Sequence, residues 1–466
     1  MAVPTPSNGG SGAETASLTR LDAIPASVVF AAAIPFLFFH IDFQPGFTVE
    51  IGAASAHAVL SDFAVLAVAV VALAAGVRHG FTPLRAGWPA WVAGGLFVLL
   101  VGAASLYPRL WDDEYNVSTH AVTAAKFGEY ALLAPAVPLL LRRARDLELV
   151  LGALVLWAGA AALVGVLQIF GLDIFDAWSP GRRQPSFLGH YDLAALCGAT
   201  LLLALVVLAL RPAIALPHWL LVVAGVGGAV GVTVSGSAAA GLGLAAAAAA
   251  VLLAGAYLRR LTVRRALASI GIVGAVAVGI LVMRGGDVDQ FVRFLGIREH
   301  DPSAQENVQT YVQRTMLAYI GWQIFLDNPI AGAGWQSSAK EEQVYGDYLD
   351  DARREFPDTP AEAFPSPEHP YGIQNAYVQA LADLGLIGFV LLLATFAAGV
   401  WLALRAVLRG PPPALLPGVL AGAWLVLVMG TWTAVGLVAG VPLDALTWIA
   451  LGLAAAAAAG AQLGRA

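Results

Sequence analysis

Long apolar runs without charged side chains constrain this chain more than any other feature. Residues 149–170 and 237–257, for example, contain no Asp, Glu, Lys or Arg. About 20 apolar residues in a helix cross the roughly 30 Å hydrocarbon core of a bilayer. Lipid offers no hydrogen-bond partners, so the backbone of such a run must satisfy its own polar groups as a helix. The sequence therefore predicts an all-α integral membrane protein.

The runs repeat along most of the chain. Only 12% of the 466 residues are charged and the mean hydropathy is +0.76, whereas a soluble protein has about 25% charged residues. We predict about twelve transmembrane helices. They lie near 21–39, 53–77, 87–106, 120–141, 147–170, 190–210, 217–234, 237–257, 266–283, 373–403, 414–437 and 441–463.

Arginine placement predicts the orientation of these spans. With the N-terminus in the cytosol, most arginines between spans fall on the cytosolic side, as the positive-inside rule requires. The short outer loops hold only Arg109, Arg182 and Arg183. Residues 1–20 are rich in Gly, Ser, Thr and Pro without a basic region, which predicts a short disordered cytosolic tail rather than a signal peptide. Both termini are expected in the cytosol of a multi-pass bacterial inner-membrane protein.

The organisation that follows has four parts: a tail at 1–20, nine helices at 21–283, an external loop at 284–372 and three helices at 373–466. The loop is too long and too polar for a simple connector, which predicts a functional role. Apolar residues recur in it every four positions from Val308 to Ile324, as in a helix that lies on the bilayer or caps the bundle. Asp327–Trp335, with Pro and two Gly, predicts a tight turn after that helix.

Several classes of site are excluded by composition. A net charge of −6 argues against nucleic acid as a partner. The single cysteine, Cys197, rules out an intrachain disulfide. No His, Cys or Asp cluster has metal-ligand spacing, and the chain contains neither a P-loop nor a dinucleotide fingerprint. We expect no cofactor and no metal.

Arg182 and Arg183 are exceptions to the positive-inside rule. The rule places most arginines on the cytosolic side and gives no reason for these two on the outer face. Two interpretations stay open. They are solvated charges or pair with Asp173 or Asp176, or they form an anion site, since guanidinium binds phosphate through a fixed fork of donors. His190 and Asp192 follow them closely and could complete a polar pocket.

Ionisable residues inside spans are functional candidates by default. Lys126 and Glu129 lie three positions apart on one helix face, and we expect them to neutralise each other. Asp383 lies in an otherwise apolar run and is expected to face a cavity. The small residues of 237–257 predict close packing between helices.

Three segments resemble the O-antigen ligase and O-antigen polymerase superfamily of bacterial membrane glycosyltransferases. Gln374–Gly388 is similar to the family's His-Asn, nine residues, Gly-x-x-Gly motif. Arg314, Trp322 and Asn328–Gly334 are similar to its Arg…Trp…Pro-x-x-Gly-x-Gly run. Thr233–Ala238 occupies its Thr-x-Ser-Arg-Gly-Ala position. The first motif matches here at Asn375, Tyr377, Gly385 and Gly388.

Two positions depart from the family pattern. The family's His is Gln374 here, and the family's Arg after Ser235 is Gly236. Gln cannot act as a base but can form hydrogen bonds. The departures weaken a ligase interpretation more than a polymerase interpretation, because polymerases of the superfamily vary more at these positions.

The resemblance implies a GT-C-like fold and a metal-independent glycosyltransferase. Its donor would be an oligosaccharide on undecaprenyl diphosphate, and its acceptor a glycan or lipid hydroxyl. Arg314 is the first candidate to stabilise the leaving diphosphate, and Arg182 and Arg183 are the second. His369 or Glu368 could replace the missing base, although Glu-His-Pro-Tyr could equally mark a turn.

Further candidates follow from the same resemblance. Gln374 occupies the catalytic position. Asn375 and Tyr377 could bind sugar hydroxyls, or they cap the helix and anchor it at the interface. Asp383 and His190 complete the substrate-binding candidates.

The sequence thus favours a polymerase of surface polysaccharide repeats in cell-envelope biosynthesis. A ligase that transfers glycan to lipid A-core or another acceptor is the alternative. A lipid-linked glycan flippase is the rival from another class. A transporter predicts internal repeats and helices broken near the midplane, and the sequence contains no convincing repeat.

Overall fold

The computed structural model describes residues 25–51, 54–110, 112–113, 115–285, 305–340, 342–357, 359, 364–366, 372–438 and 440–460. The predicted tail at 1–20 and the candidate bases Glu368 and His369 lie outside these residues. Nearly all of the described chain in regular structure is helical.

The described residues from 25 to 210 contain seven helices, with short 3-10 turns at Ile41–Phe43, Thr82–Gly87 and Tyr107–Leu110. The helices are α1 Ala26–Leu37, α2 Leu60–His79, α3 Trp88–Ala104, α4 Val117–Ala131, α5 Leu133–Leu140, α6 Ala144–Ile169 and α7 His190–Leu210. The break between α4 and α5 has a local cause. Pro135 has no N–H to donate to the carbonyl of Ala131, so the helix cannot continue undisturbed.

The remainder of the described chain contains nine more helices. They are α8 His218–Ser235, α9 Ala238–Tyr257, α10 Val263–Met283, α11 Gln305–Asp327, α12 Ser337–Lys340, α13 Glu342–Glu355, α14 Ala376–Arg409, α15 Leu415–Thr431 and α16 Pro442–Ala458. A π-helical turn at Val223–Gly227 interrupts α8.

Among the described residues, nine helices are long and apolar enough to cross a membrane. They are α2, α3 with its flanking turns, α6, α7, α8, α9, α10, α14 and α15. Two shorter apolar helices, α1 and α16, coincide with further predicted spans. The expectation of a multi-pass, helical membrane protein is confirmed, while the count of twelve spans and the GT-C architecture stay predictions.

A β-hairpin replaces the start of the second predicted span. Strand β1 Gly46–Ile51 pairs antiparallel with strand β2 Ala54–Val59, and Gly46 lies opposite Val59. In the sequence of β1 the apolar residues Phe47 and Val49 alternate with Thr48 and Glu50, the pattern of a strand with two different faces. Helix α2 therefore begins at Leu60 rather than at residue 53.

The small residues of α9 pack at backbone distance against α15, as predicted. A Cβ atom added to Gly243 would lie 2.7 Å from the carbonyl oxygen of Leu427. One added to Gly430 would lie 2.5 Å from the Cα of Gly243. Helix–helix contact at this distance depends on residues without side chains.

Helix α11 caps the bundle, which decides between the two interpretations of its apolar stripe. Met316, Ile320 and Ile324 are buried against side chains from outside α11. These partners are Ala352 of α13, Ala382 of α14, Phe364 and Ile373. The helix ends at Asp327, where the sequence predicted the turn.

Lys126 pairs with a different partner from the one the sequence predicted. Its Nζ lies 3.2 Å from Oδ2 of Asp62, and both side chains are mostly buried. Among the described residues, no ion pair joins Lys126 to Glu129. The tertiary fold places Asp62, in the first turn of α2, beside α4, and spacing within one helix cannot reveal this contact.

Candidate active site

Arg314 of α11 is held by side chains from two other parts of the chain. Its Nε donates a 2.9 Å hydrogen bond to Oε1 of Gln374, which lies just before α14. Its terminal NH2 group donates to the hydroxyl of Tyr191, at the start of α7. The guanidinium carbon also lies 5.7 Å from the centre of the Tyr191 ring. Three separate segments therefore fix one cation.

The position of Gln374 follows from the way α14 begins. Asn375 is the N-cap, and its Oδ1 accepts hydrogen bonds from the backbone N–H groups of Tyr377 and Val378 at 3.0 and 3.1 Å. Its Nδ2 donates to the carbonyl of Thr433 at 3.1 Å. Asn caps satisfy backbone donors that a helix start leaves open. The capping interpretation of Asn375 is confirmed, and the cap sets where Gln374 points.

Two buried glutamines fold the loop between α6 and α7. Oε1 of Gln168 accepts from the backbone N–H of Ser186 at 2.8 Å. Oε1 of Gln184 accepts from the N–H of Trp178 at 2.9 Å. The backbone N–H of Gln184 donates to the carbonyl of Val234 at 2.9 Å, which ties the loop to the end of α8. The loop thus holds Arg183 in a defined place.

Arg183 and its neighbour Arg182 point in different directions. The Arg183 guanidinium carbon lies 4.8 Å from the centre of the Trp178 ring. Its aliphatic stem covers Gly236, where an added Cβ would lie 2.9 Å from the Cβ of Arg183. Arg182 is exposed to solvent. The structure therefore brings one member of the predicted pair to the end of α8.

His190 contacts the same two aromatic rings that Arg183 and Arg314 contact. Its ring centre is 3.8 Å from that of Tyr191 and 5.1 Å from that of Trp178. Its buried Nε2 has no hydrogen-bond partner among the described residues. Three cations lie within electrostatic range of this ring: Arg183, Arg284 and Arg314. Three of the candidates predicted from the sequence, Arg183, His190 and Arg314, thus belong to one cluster.

Asp383 is fully buried, and protein donors occupy both of its carboxylate oxygens. Oδ1 accepts from the backbone N–H of Ser338 at 3.0 Å. Oδ2 accepts from the N–H of Gln336 at 3.1 Å and from Nε2 of Gln379 at 2.9 Å. Substrate binding by Asp383 stays a prediction, and these contacts favour a role in anchoring the segment after α11.

The glycines of the two family-like motifs meet each other. Gly332 has a φ of +77°, and an added Cβ would lie 2.3 Å from the carbonyl carbon of Asp383. Gly385 has a φ of +63°, and its Cβ would lie 2.4 Å from the carbonyl of Ile330. Leu386 N donates to the carbonyl of Pro329 at 2.8 Å across the same contact. The glycines let the turn after α11 lie in the kink of α14.

Tyr377 also has a partner within the protein. Its hydroxyl donates to the carbonyl of Met429 in α15 at 2.8 Å. This bond attaches the first turn of α14 to α15. A role in binding sugar stays a prediction for both Tyr377 and Asn375.

An apolar groove leads along the bundle towards the arginine cluster. It has a volume of about 560 Å³ and lies between α7, α8 and α10. It includes Leu208 near the far end of α7, and it reaches Thr233 and Val234, the residues just before Ser235 and Gly236. The π-helical turn of α8 contributes Gly225 and Val226 to its wall.

Sequence reasoning missed three side chains of this cluster: Tyr191, Trp178 and Arg284. Tyr191 directly follows His190, which the sequence analysis had already selected, so its position in the sequence could have identified it as a site residue. Arg284 directly follows α10 on the predicted outer side and is mostly buried. A charged residue at the end of a span would have been a second signal.

Among the described residues, no group of three His, Cys, Asp or Glu side chains is placed to hold a metal ion. Glu368 and His369 lie outside the part of the chain that the structure describes. Their role as bases stays a prediction.

Comparison with known proteins adds one finding. Residues 220–393 match the family model for O-antigen ligase. This segment contains Gly236, Arg284, Arg314 and the start of α14. The match confirms the resemblance to the O-antigen ligase and polymerase superfamily. A search of curated proteins gave no significant match.

Proposed function

Since residues 220–393 match the family model for O-antigen ligase, we propose that the protein transfers glycans from undecaprenyl diphosphate at the outer face of the cytoplasmic membrane. In this proposal it polymerises the repeat units of a surface polysaccharide. The donor is a lipid-linked oligosaccharide, and the acceptor is a sugar hydroxyl of a second lipid-linked chain. Both termini lie in the cytosol.

The placement of Arg183 and Arg314 against the two aromatic rings that contact His190, those of Trp178 and Tyr191, carries the proposal. In the reaction, the bond between the anomeric carbon and the diphosphate oxygen breaks, and its electron pair leaves with the diphosphate. The acceptor oxygen forms the new bond and loses its proton to a base. Negative charge therefore grows on the diphosphate, and fixed cations that face it stabilise the transition state. Guanidinium groups bind such oxygens through paired donors.

The contacts of Arg314 support a role in catalysis rather than in folding alone. Gln374 and Tyr191 fix Nε and one terminal nitrogen, and guanidinium carries five N–H donors in all. The remaining donors can bind phosphate without reorientation. A cation held in place before the reaction does not have to be reorganised during it.

Arg183 supports the proposal in a second way. The resemblance implies a phosphate-binding arginine at position 236, where this chain has Gly236. The side chain of Arg183 lies over that glycine. In this proposal, Arg183 supplies a positive charge at the end of α8, where the family pattern has an arginine of α8 itself.

The groove between α7, α8 and α10 supports a polyprenyl donor. Its wall is almost wholly apolar, and its outer end is two residues from Gly236. An isoprenoid chain in this groove would place its diphosphate beside Arg183. The proton acceptor is assigned to His369, with Glu368 as the other candidate, because both precede Gln374 closely in sequence.

Transfer to a lipid or protein acceptor, the reaction of a ligase, is the second candidate. The observation that favours it is the family description itself, O-antigen ligase. The two reactions share the donor and the arginine cluster and differ only in the acceptor.

Complementation of a strain that lacks the protein tests both candidates. We expect Arg314→Ala to abolish mature surface glycan, while Arg109→Ala, which removes an exposed outer arginine, leaves it intact. Single repeats that accumulate on the carrier at the outer face indicate lost polymerisation. Full-length chains left on the carrier indicate lost ligation. Normal glycan in the Arg314→Ala strain would refute the proposed site.

A further inference from the structure

A second pocket lies far from the arginine cluster. It has a volume of about 620 Å³ and lies between α1, α2, α5 and the start of α6. Part of its wall is apolar, with Val29, Val71, Ala74, Leu139 and Leu140. Its polar rim is formed by Arg78, His79, Arg142, Arg143 and Asp146.

Helix directions place this pocket at the opposite end of the bundle from Arg314. Helix α6 starts at the pocket and ends at the loop that carries Arg183. Its 26 residues span about 39 Å. Helix α3 runs in the same direction. Its first residue follows Arg78 closely in sequence, and at its other end the carbonyl of Ala104 accepts a hydrogen bond from the N–H of Trp335, in the turn that follows α11. The pocket is therefore independent of the transfer site.

The charges of the rim are unbalanced. Among the described residues of the rim, three arginines and a histidine face one carboxylate, that of Asp146. Asp146 is already occupied, because Oδ1 accepts from Oγ of Ser27 at 2.7 Å and Oδ2 accepts from the N–H of Arg143 at 2.9 Å. The described part of the rim therefore carries more positive than negative charge.

Arg142 forms a fixed wall of the pocket. Its Nε donates to the carbonyl of Leu139 at 2.9 Å, and its NH2 group donates to the carbonyl of Gly80 at 2.9 Å. Its NH1 group donates to the carbonyl of His79 at 3.2 Å. These bonds cap the end of α2 and hold the positive charge at the mouth of the pocket. Arg143 and Arg78 are exposed beside it.

From this geometry we infer that the pocket binds the phosphate headgroup of an anionic phospholipid from the leaflet opposite the transfer site. Basic pockets between transmembrane helices recognise such headgroups. Arg78 and Arg143 bind the phosphate, Arg142 adds a fixed charge, and the apolar wall receives the first part of the acyl chains. A free phosphate ion shares the headgroup chemistry but gains nothing from Val71, Leu139 or Leu140.

The test uses the full-length protein reconstituted in phosphatidylcholine vesicles with one-fifth phosphatidylglycerol. Lipid that stays bound after mild detergent extraction is measured by native mass spectrometry. We expect one retained phosphatidylglycerol per chain. The Arg78→Gln/Arg143→Gln variant should bind about thirtyfold more weakly, since each basic residue near the surface contributes about one factor of five.

Two variants control for charge and folding. Arg260→Gln/Arg264→Gln removes the same charge at the same end of the bundle but outside the pocket, and it should retain lipid like the wild type. Arg78→Lys/Arg143→Lys keeps the charge and should retain most of the binding, which excludes misfolding as the cause of loss.

Three results would overturn the inference. One is equal lipid retention by the two Gln double variants. Another is equal retention of phosphatidylcholine and phosphatidylglycerol by the wild type. The third is displacement of the retained lipid by millimolar inorganic phosphate, which would assign the pocket to a soluble anion.

Discussion

The side chain of Arg183 lies across Gly236, so closely that a Cβ atom at position 236 would come within 2.9 Å of the Cβ of Arg183. One residue comes from the loop before α7 and the other from the end of α8. The contact leaves no room for a side chain at position 236 unless Arg183 moves.

The first prediction concerns this contact. Gly236→Ala should displace Arg183 and reduce glycan transfer at least tenfold. Gly236 has a φ of +61°, so Ala also introduces about 1–2 kcal/mol of backbone strain. Transfer is measured in membrane vesicles with lipid-linked repeats. Gly102→Ala is the matched control, because an added Cβ there meets no neighbour within 4 Å. Equal rates in the two variants would contradict the role of Arg183.

A second prediction isolates the hydroxyl of Tyr191. Tyr191→Phe keeps the ring beside Arg314 but removes the oxygen that accepts its hydrogen bond. A hydrogen bond to a charged group contributes about 1.5–3 kcal/mol, so we expect turnover to fall about tenfold while thermal stability changes little. Tyr257→Phe, at an exposed site in α9, should match the wild type. Unchanged turnover in Tyr191→Phe would show that Gln374 alone is sufficient to orient Arg314.

A third prediction separates structure from substrate binding at Asp383. Asp383→Asn turns one acceptor into a donor that faces backbone N–H groups of Gln336 or Ser338. A buried mismatch of this kind costs about 1–3 kcal/mol. We expect a lower unfolding temperature in detergent and a parallel loss of folded protein. Asp113→Asn, at an exposed residue, is the control. Lost transfer activity with an unchanged unfolding temperature would assign Asp383 to the substrate instead.

A fourth prediction tests the apolar groove as the donor's lipid site. Ala229→Phe fills the groove between α7, α8 and α10 and should raise the KM for the lipid-linked donor several-fold, with a smaller effect on kcat. Leu242→Phe places a similar ring on α9, at an exposed position outside the groove. If both variants keep the KM of the wild type, the polyprenyl chain binds elsewhere.

Much of the architecture was predictable because lipid imposes a simple rule on the sequence. Apolar runs such as 190–210 and 237–257 must be helices, and their boundaries in the structure differ by at most a residue. The hairpin before α2 escaped prediction for a related reason. Its residues are apolar enough to resemble a span, and only their alternation distinguishes a strand from a helix.

The site was predictable only in part. Arg183 stood out because an arginine on the predicted outer face without a topological reason is visible in the sequence, and Arg314 stood out because it matches a motif of the family that the chain resembles. Tyr191 did not, since a tyrosine at the end of a span is ordinarily an interfacial anchor. The kink glycines, Gly332 and Gly385, were recognised as motif residues, but their mutual contact was not.

The amino-acid sequence by itself determined the helices, their apolar faces and the excess of charge at their ends, because these depend on neighbouring residues and on the solvent. The tertiary structure alone decided which charges meet. Lys126 reaches Asp62 rather than Glu129, and Arg183 lies beside position 236. Such contacts join residues 53 to 64 positions apart, and no local pattern records them. They arise because close packing of the helices restricts each side chain to a few conformations.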